Sequence, residues 1–324
     1  MPQYTRRNFV ISLGAALAAA PAVIAMAGCG STGSTGGSTG GSGTASSGAA
    51  ASASSASEYK LVEPGKLTIG CSPDYPPMEY QDGDKIVGFD YGVMSEICDR
   101  LGLECNFLPA QSFDTLVTQV AAGTKMDVSI SSITIDDDRA EQVDFSDPYY
   151  DSNLAIVVMK DAVTDGGITS RDDIDGKPVG AQSGSTGEAW IKENLKDSAY
   201  TPFDTTVECL AALRTGQVTA VVYDEPVARN QIANEYTDCE ILDVIATGEQ
   251  YGIIINKNNK ALTAAINKAL ADMESDGTMD ELKEKWIGGA DVVASSKTGD
   301  KAASSKADSK AASSKADSAS ASKD

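Results

Sequence analysis

Histidine is absent from the 324 residues, which removes both the commonest general base and the commonest metal ligand. None of the six cysteines stands in a Cys-x-x-Cys pair, so the spacing of zinc and dithiol redox sites is missing too. Basic charge is scarce, with 26 Lys and Arg against 47 Asp and Glu and a formal net charge of -21. Without clustered cations to displace counterions from a phosphate backbone, a nucleic-acid partner is disfavoured. Metal-free acid–base chemistry on Asp, Glu, Lys or Tyr stays open. The acidity itself reads as a solubility device and names no ligand.

Apart from one N-terminal run, large apolar residues are scarce at both ends, so only the stretch from about Lys60 to Ala290 can build a core. At the N-terminus, Arg6 and Arg7 precede an uncharged, Ala-rich run from Phe9 to Ala27, the pattern of an export signal. Thr5-Arg6-Arg7-Asn8-Phe9-Val10 resembles a twin-arginine signal, which implies export in the folded state. Met26-Ala27-Gly28-Cys29 resembles a lipoprotein box with Met26 in place of the usual Leu, and implies lipidation at Cys29. Ordinary cleavage after Ala25-Met26-Ala27 and retention of the apolar run as a membrane helix are the alternatives. The expected location is extracytoplasmic, tethered to the outer face of the cell membrane.

From Gly30 to about Ser57 the Gly/Ser/Thr composition cannot offset its ordering entropy and should act as a flexible leash. Beyond residue 290, repeated Ala-Ser-Ser-Lys-Ala-Asp units read as a disordered tail with no assigned function.

Within the folded part, periodicity predicts a strand at Lys66–Gly70, a helix at Asp90–Leu101 and a strand at Glu104–Leu108, a βαβ beginning. A helix at Phe113–Ala122, a short strand at Asp127–Ser131 and a buried strand at Leu154–Met159 follow. A second α/β set comprises strand Lys177–Ala181, helices Thr186–Leu195 and Thr206–Thr215, and strand Ala220–Tyr223. Strand Gly252–Asn256 and helices Lys260–Ser275 and Thr278–Trp286 have no third unit to complete, so the chain is expected to return to its first lobe. The predicted class is α/β.

The segment Asp127 to Arg139, with Ser131-Ser132-Ile133-Thr134 inside it, is followed by Val143-Asp144-Phe145-Ser146-Asp147-Pro148-Tyr149. Together with Asp74-Tyr75-Pro76-Pro77-Met78-Glu79-Tyr80, Gly88-Phe89-Asp90, Ser112-Phe113-Asp114, Gly184-Ser185-Thr186 and Tyr223-Asp224-Glu225, it strongly resembles the polar amino-acid-binding proteins of ABC importers, extracellular solute-binding protein family 3. The resemblance runs from about Lys66 to Ile287. It implies a type II periplasmic-binding-protein fold: two lobes, each a central mixed sheet flanked by helices, joined by hinge strands near Tyr150–Val157 and Glu249–Ile254. The implied lobes are residues 60–154 plus 252–290, and 155–251. Ligand would lie in the cleft and close it by hinge motion. A monomer without cofactor, handing a free amino acid to an ABC permease complex, is expected.

The same resemblance assigns the site. A zwitterionic amino acid needs a fork of donors for its carboxylate and an anion for its ammonium. Arg139 supplies the fork, with Thr134 and the backbone of Thr186 as further donors. Ser185-Thr186-Gly187-Glu188 has capping-box spacing and opens a helix, whose free N–H groups could face the carboxylate. Asp224 matches the acid that pairs with the ammonium, with Ser132 offering a carbonyl or hydroxyl beside Ser131. Tyr75 and Phe113 match rings that sandwich the ligand side chain. Ser72, Asp74 and Gln182 would line its far end. Cation-specific relatives commonly carry an acid where Ser72 stands, and Asp74 is the candidate to compensate. Glutamine or cystine fits this end better than an anion does, and a cationic ligand stays open.

Cys98 and Cys105 match relatives in which they form a disulfide. A Cys209–Cys239 bridge is conceivable but cannot be derived, and one thiol, Cys71 in that case, would remain. Two rivals stand beside the importer reading. One is a dehydratase of cyclohexadienyl acids, with Glu188 or Asp224 as the proton donor. The other is a surface sensor reporting ligand to a membrane partner.

Overall fold

The computed structural model describes residues 59–165 and 167–288. The export signal, Cys29, most of the tether and the C-terminal tail lie outside the described residues.

Leu67 and Ile69 make the first strand, β1 (Lys66–Gly70), a buried one. Two parallel neighbours flank it, β5 (Glu104–Phe107) and β6 (Val128–Ser129). Helix α1 (Phe89–Leu101) covers this sheet with Phe89, Val93, Met94 and Ile97, a helical stripe with no exposed surface. Its start depends on Gly88, whose φ is 121° and where a Cβ would lie 2.3 Å from the Met78 carbonyl oxygen. That close approach lets Phe89 and Asp90 donate their N–H groups to Pro77 and Met78, which fixes where Asp90 enters the core. Cys98, in the last turn of α1, is bonded to Cys105 of β5 with 5.7 Å between their Cα atoms. Cys71, Cys209 and Cys239 are buried free thiols, so the conceivable Cys209–Cys239 bridge is not formed.

The chain leaves this lobe and comes back to it. Strand β13 (Ile254–Ile255) inserts between β6 and β7 (Asp144–Phe145), antiparallel to both, which makes the sheet mixed in the order β5-β1-β6-β13-β7. Helices α8 (Lys260–Asp276) and α9 (Thr278–Trp286) then pack on α1. A small antiparallel sheet of β2 (Asp74–Tyr75), β3 (Glu79–Asp82) and β4 (Lys85–Val87) precedes α1.

The second lobe is built on β8 (Tyr150–Met159), buried without interruption from Leu154 to Val158 as a central strand must be. Its sheet runs β10 (Ala199–Phe203), β9 (Pro178–Gln182), β11 (Ala220–Asp224), β8, β12 (Cys239–Tyr251). Strands β9, β10 and β11 are parallel, and β8 and β12 are antiparallel. Helices α4 (Lys160–Thr164), α5 (Thr186–Asn194) and α6 (Thr206–Arg214) lie on it, as α2 (Leu116–Ala122) lies on the first sheet. The long β8–β12 ribbon is also the connection between lobes: Tyr149 and Ser146 donate to the carbonyls of Tyr251 and Ile253, and Thr134 bridges to Tyr251.

Candidate functional site

All twelve residues singled out in the sequence line one cleft between the two sheets, enclosing about 450 Å³ of non-atom space that includes open solvent. Glu79, Gly187, Thr206 and Tyr223 line it as well.

Arg139 is carried on the four-residue helix α3 (Asp137–Ala140), capped by Asp136, whose carboxylate accepts the Arg139 backbone N–H at 2.8 Å. The same carboxylate pairs with Nε at 3.1 Å. Nη1 donates to the Thr134 carbonyl at 2.7 Å and Nη2 to the Gly184 carbonyl at 3.0 Å. A guanidinium has five N–H donors, so one hydrogen on each terminal nitrogen is left for a fork against a carboxylate. The Phe113 ring lies 5.8 Å from Cζ, and burial lowers the guanidinium's proton affinity from its ordinary value.

Facing it is the start of α5. Ser185 caps this helix, accepting the Glu188 N–H at 3.1 Å, and Gly187 brings the helix so near β11 that a Cβ there would lie 2.4 Å from the Val222 carbonyl oxygen. The N-terminal turn of α5 is thereby held beside the end of β11, where Asp224 stands. The hydroxyls of Thr134 and Thr186 do not turn to open space: both donate to Oε2 of Glu249, at 3.3 and 3.2 Å.

Asp224 is buried, and one carboxylate oxygen accepts the Tyr75 hydroxyl at 2.8 Å across the cleft. Burial pushes its carboxyl up to about 6, against the pull of the Tyr75 and Tyr251 hydroxyls and of Arg139. Such a group is an anion short of a cation, which is what an ammonium would supply. Tyr75 therefore contributes a hydroxyl as well as the ring expected of it. Its ring meets that of Tyr223 edge-on with centroids 6.5 Å apart.

The Ser131–Ser132 shelf is committed to the protein. Ser131 and Ser132 donate their hydroxyls to the two oxygens of Glu79, at 2.7 and 3.2 Å, and the Ser132 N–H goes to Asp90 at 2.8 Å. The Ser132 hydroxyl has thus given its proton to Glu79 and can meet a ligand only as an acceptor. Ser132 holds a φ of 49°, a left-handed conformation stabilised by these three bonds. Glu79 and Asp90 lie fully buried together; burial and mutual repulsion drive Glu79 well above the usual carboxylate range, and burial takes Asp90 to about 7.

At the far end, Asp74 accepts the Ser72 hydroxyl at 2.8 Å and the Thr206 N–H at 3.3 Å. Burial raises its carboxyl too. Gln182 donates to the Asp204 carbonyl at 3.0 Å. Asp74, Glu79 and Asp224 thus share the cleft wall with one cation, Arg139.

A two-lobed molecule with an Arg fork, a buried acid and an aromatic wall in the cleft is a solute-binding protein. Residues 67–289 match the family of bacterial extracellular solute-binding proteins, family 3, and the chain belongs to it. It is 31% identical to the L-cystine-binding protein TcyJ of Escherichia coli (strain K12) over 234 residues, 72% of this chain and 86% of that one. It is 32% identical to the arginine-binding extracellular protein ArtP of Bacillus subtilis (strain 168) over 227 residues, 69% and 87% of the two chains. Among solved structures, an ancestral arginine-binding protein bound to arginine superposes with a TM-score of 0.64 at 38% identity, covering 69% of this chain and 99% of that one.

Proposed function

We propose that the chain captures a free amino acid whose side chain is tipped with N–H donors, a cationic one above all, and hands it to an ABC importer. The observation that carries this reading is the charge layout of the cleft. Arg139 offers two N–H groups to a carboxylate, Asp224 offers a desolvated anion to an ammonium, and Asp74 is a further, half-buried carboxylate beyond them with only neutral donors. A zwitterion neutralises Arg139 and Asp224; a third, positive group is needed for Asp74. The guanidinium of arginine and the second ammonium of cystine both meet that need, and the amide of glutamine meets its hydrogen bonding alone. Closure would turn on β8 and β12, the strands that join the lobes.

A thermal-shift screen of the chain against the twenty amino acids plus cystine and ornithine tests this, because a ligand bound to the folded state alone raises its melting temperature. The expected result is the largest shift with a cationic amino acid or cystine, lost in Arg139→Ala. No shift with any of them would refute amino-acid capture.

The dehydratase reading requires a carboxyl that holds a proton and delivers it. Glu188 does the opposite: its ion pair with Lys192 and the Gly184 N–H hold it below the usual carboxylate range, and it is not part of the cleft wall. Asp224, with its carboxyl at about 6, is largely ionised at neutral pH, as an ammonium partner should be and a proton donor should not. Binding without turnover is the better fit.

Attachment to the membrane through a lipid on Cys29 completes the reading, the tether giving reach to a permease. Mass spectrometry of the mature N-terminal peptide is expected to find a lipidated Cys29; a mature chain that starts elsewhere would overturn the anchor.

A further inference from the structure

Glu249 stands near the end of β12, paired with Ser152 of β8, on the ribbon that joins the lobes. It escaped the sequence reading as a site residue. Its Oε2 accepts the hydroxyls of Thr134 and Thr186, and these two residues stand on either side of the Arg139 fork: Thr134 also gives its carbonyl to Arg139, and Thr186 opens α5. The hydroxyls best placed to help an incoming carboxylate are therefore held by a carboxylate of the chain itself.

We propose that Glu249 is a positioning residue of the carboxylate subsite: in the empty cleft its anion retains the Thr134 and Thr186 hydroxyls, and when an amino acid docks on Arg139 the carboxyl takes up a proton from solvent and releases them. This inference rests on the function proposed above.

The charged and titratable groups facing Glu249 decide the sign. Arg139, on α3, favours its anion; Asp224, at the end of β11, opposes it; Thr134 and Thr186 favour it through their hydroxyls. Asp136 is paired with Arg139, the Tyr75 hydroxyl donates to Asp224, and the Tyr251 hydroxyl donates to Ser152. Burial is the largest influence, and the carboxyl is pushed up to about 7. A ligand carboxylate at the fork removes three supports of the Glu249 anion together: the two hydroxyls and the field of Arg139. The ligand ammonium, by neutralising Asp224, relieves one opposing influence. The balance favours protonation on binding.

Isothermal titration of the full chain with L-arginine, L-cystine and L-glutamine at pH 7, in phosphate and in Tris, reads the proton directly, because buffer ionisation adds to the heat in proportion to protons taken up. With the empty carboxyl near half-titrated, roughly half a proton per ligand is expected. Affinity should fall between pH 7 and pH 8, toward about tenfold per unit in the limit of one proton. In Glu249→Gln, which keeps the shape and an acceptor for the threonines, the uptake and the pH slope should be lost whatever the change in affinity. Carboxyl carbon NMR of wild-type chain labelled at Glu gives an independent measure, with one glutamate resonance titrating at higher pH in the saturated protein than in the empty one. Heat that is the same in both buffers for wild type, or uptake that survives in Glu249→Gln, overturns the role of Glu249 alone. No heat with any of the three amino acids overturns the binding function beneath it.

Discussion

Asp224 is the residue whose two roles pull in opposite directions. In the empty protein it is a buried carboxylate that accepts the Tyr75 hydroxyl and has no direct cation, and burial raises its carboxyl to about 6. With an amino acid bound it would face an ammonium. Asp224→Asn keeps the shape and removes the charge, so the two roles separate. Affinity for the amino acid is expected to fall by about 2 kcal/mol, roughly thirtyfold, as for a lost charge-assisted hydrogen bond. The empty protein at pH 8 should be no less stable than wild type, because the folded state prefers this carboxyl protonated and its ionisation is a cost. Calorimetric titration beside a melting curve checks both; a destabilised variant with unchanged affinity would remove Asp224 from the ammonium subsite. Arg139 and Asp224 were legible because each stands inside a run of residues with a fixed order. Glu249 was not, because a single acid on an irregular strand carries no spacing, and the threonines that give it meaning lie 115 and 63 residues away.

At the scale of elements, what the sequence revealed followed the strength of its periodicity. Helix α1 shows a clean apolar stripe and lies at Phe89–Leu101 against an expected Asp90–Leu101; β1 and α9 match their expected bounds. The return of the last strand to the first sheet was inferred from a missing partner unit and is seen in the pairing of β13. Strand β12 was anticipated only at its hinge end. Its residues Cys239–Tyr251 include Asp243, Thr247, Gly248 and Glu249, and two register irregularities against β8 break the alternation that marks a strand. Helix α7 (Glu225–Asn234) was missed, its polar face and Pro226 outweighing the buried Val227, Ala228 and Gln231. Edge strand β10 was hidden by Pro202, tolerated there because no further strand needs its N–H. The missed elements are those whose stability comes from neighbours, which a one-dimensional pattern does not contain.

For the molecule as a whole, the buried acids set an unusual dependence on pH. Asp74, Glu79, Asp90, Asp224 and Glu249 are all raised by burial, Asp224 to about 6 and Asp90 and Glu249 to about 7. In the unfolded chain these carboxyls release their protons near pH 4. Between about pH 5 and pH 8 the folded state therefore holds more protons, and stability falls as pH rises through that window. Acids with the opposite shift, such as exposed Asp276 at about 2, act only in more acidic solution, where the trend reverses. The melting temperature of the empty protein is expected to rise as pH drops from 8 to 5.5. Relief of the -21 net charge pushes the same way, but repulsion between exposed charges is screened by salt far more than buried and half-buried groups are. The rise should therefore persist at high ionic strength. Saturating L-arginine should flatten it below about pH 6.5, where the ligand's ammonium and guanidinium draw protons from Asp224 and Asp74, and steepen it above about pH 7, where the complex takes up the Glu249 proton. A melting temperature that climbs with pH across this window, or a slope abolished by salt, would mean that the cleft acids are paired in the empty protein and that the charge layout assigned to the ligand is wrong.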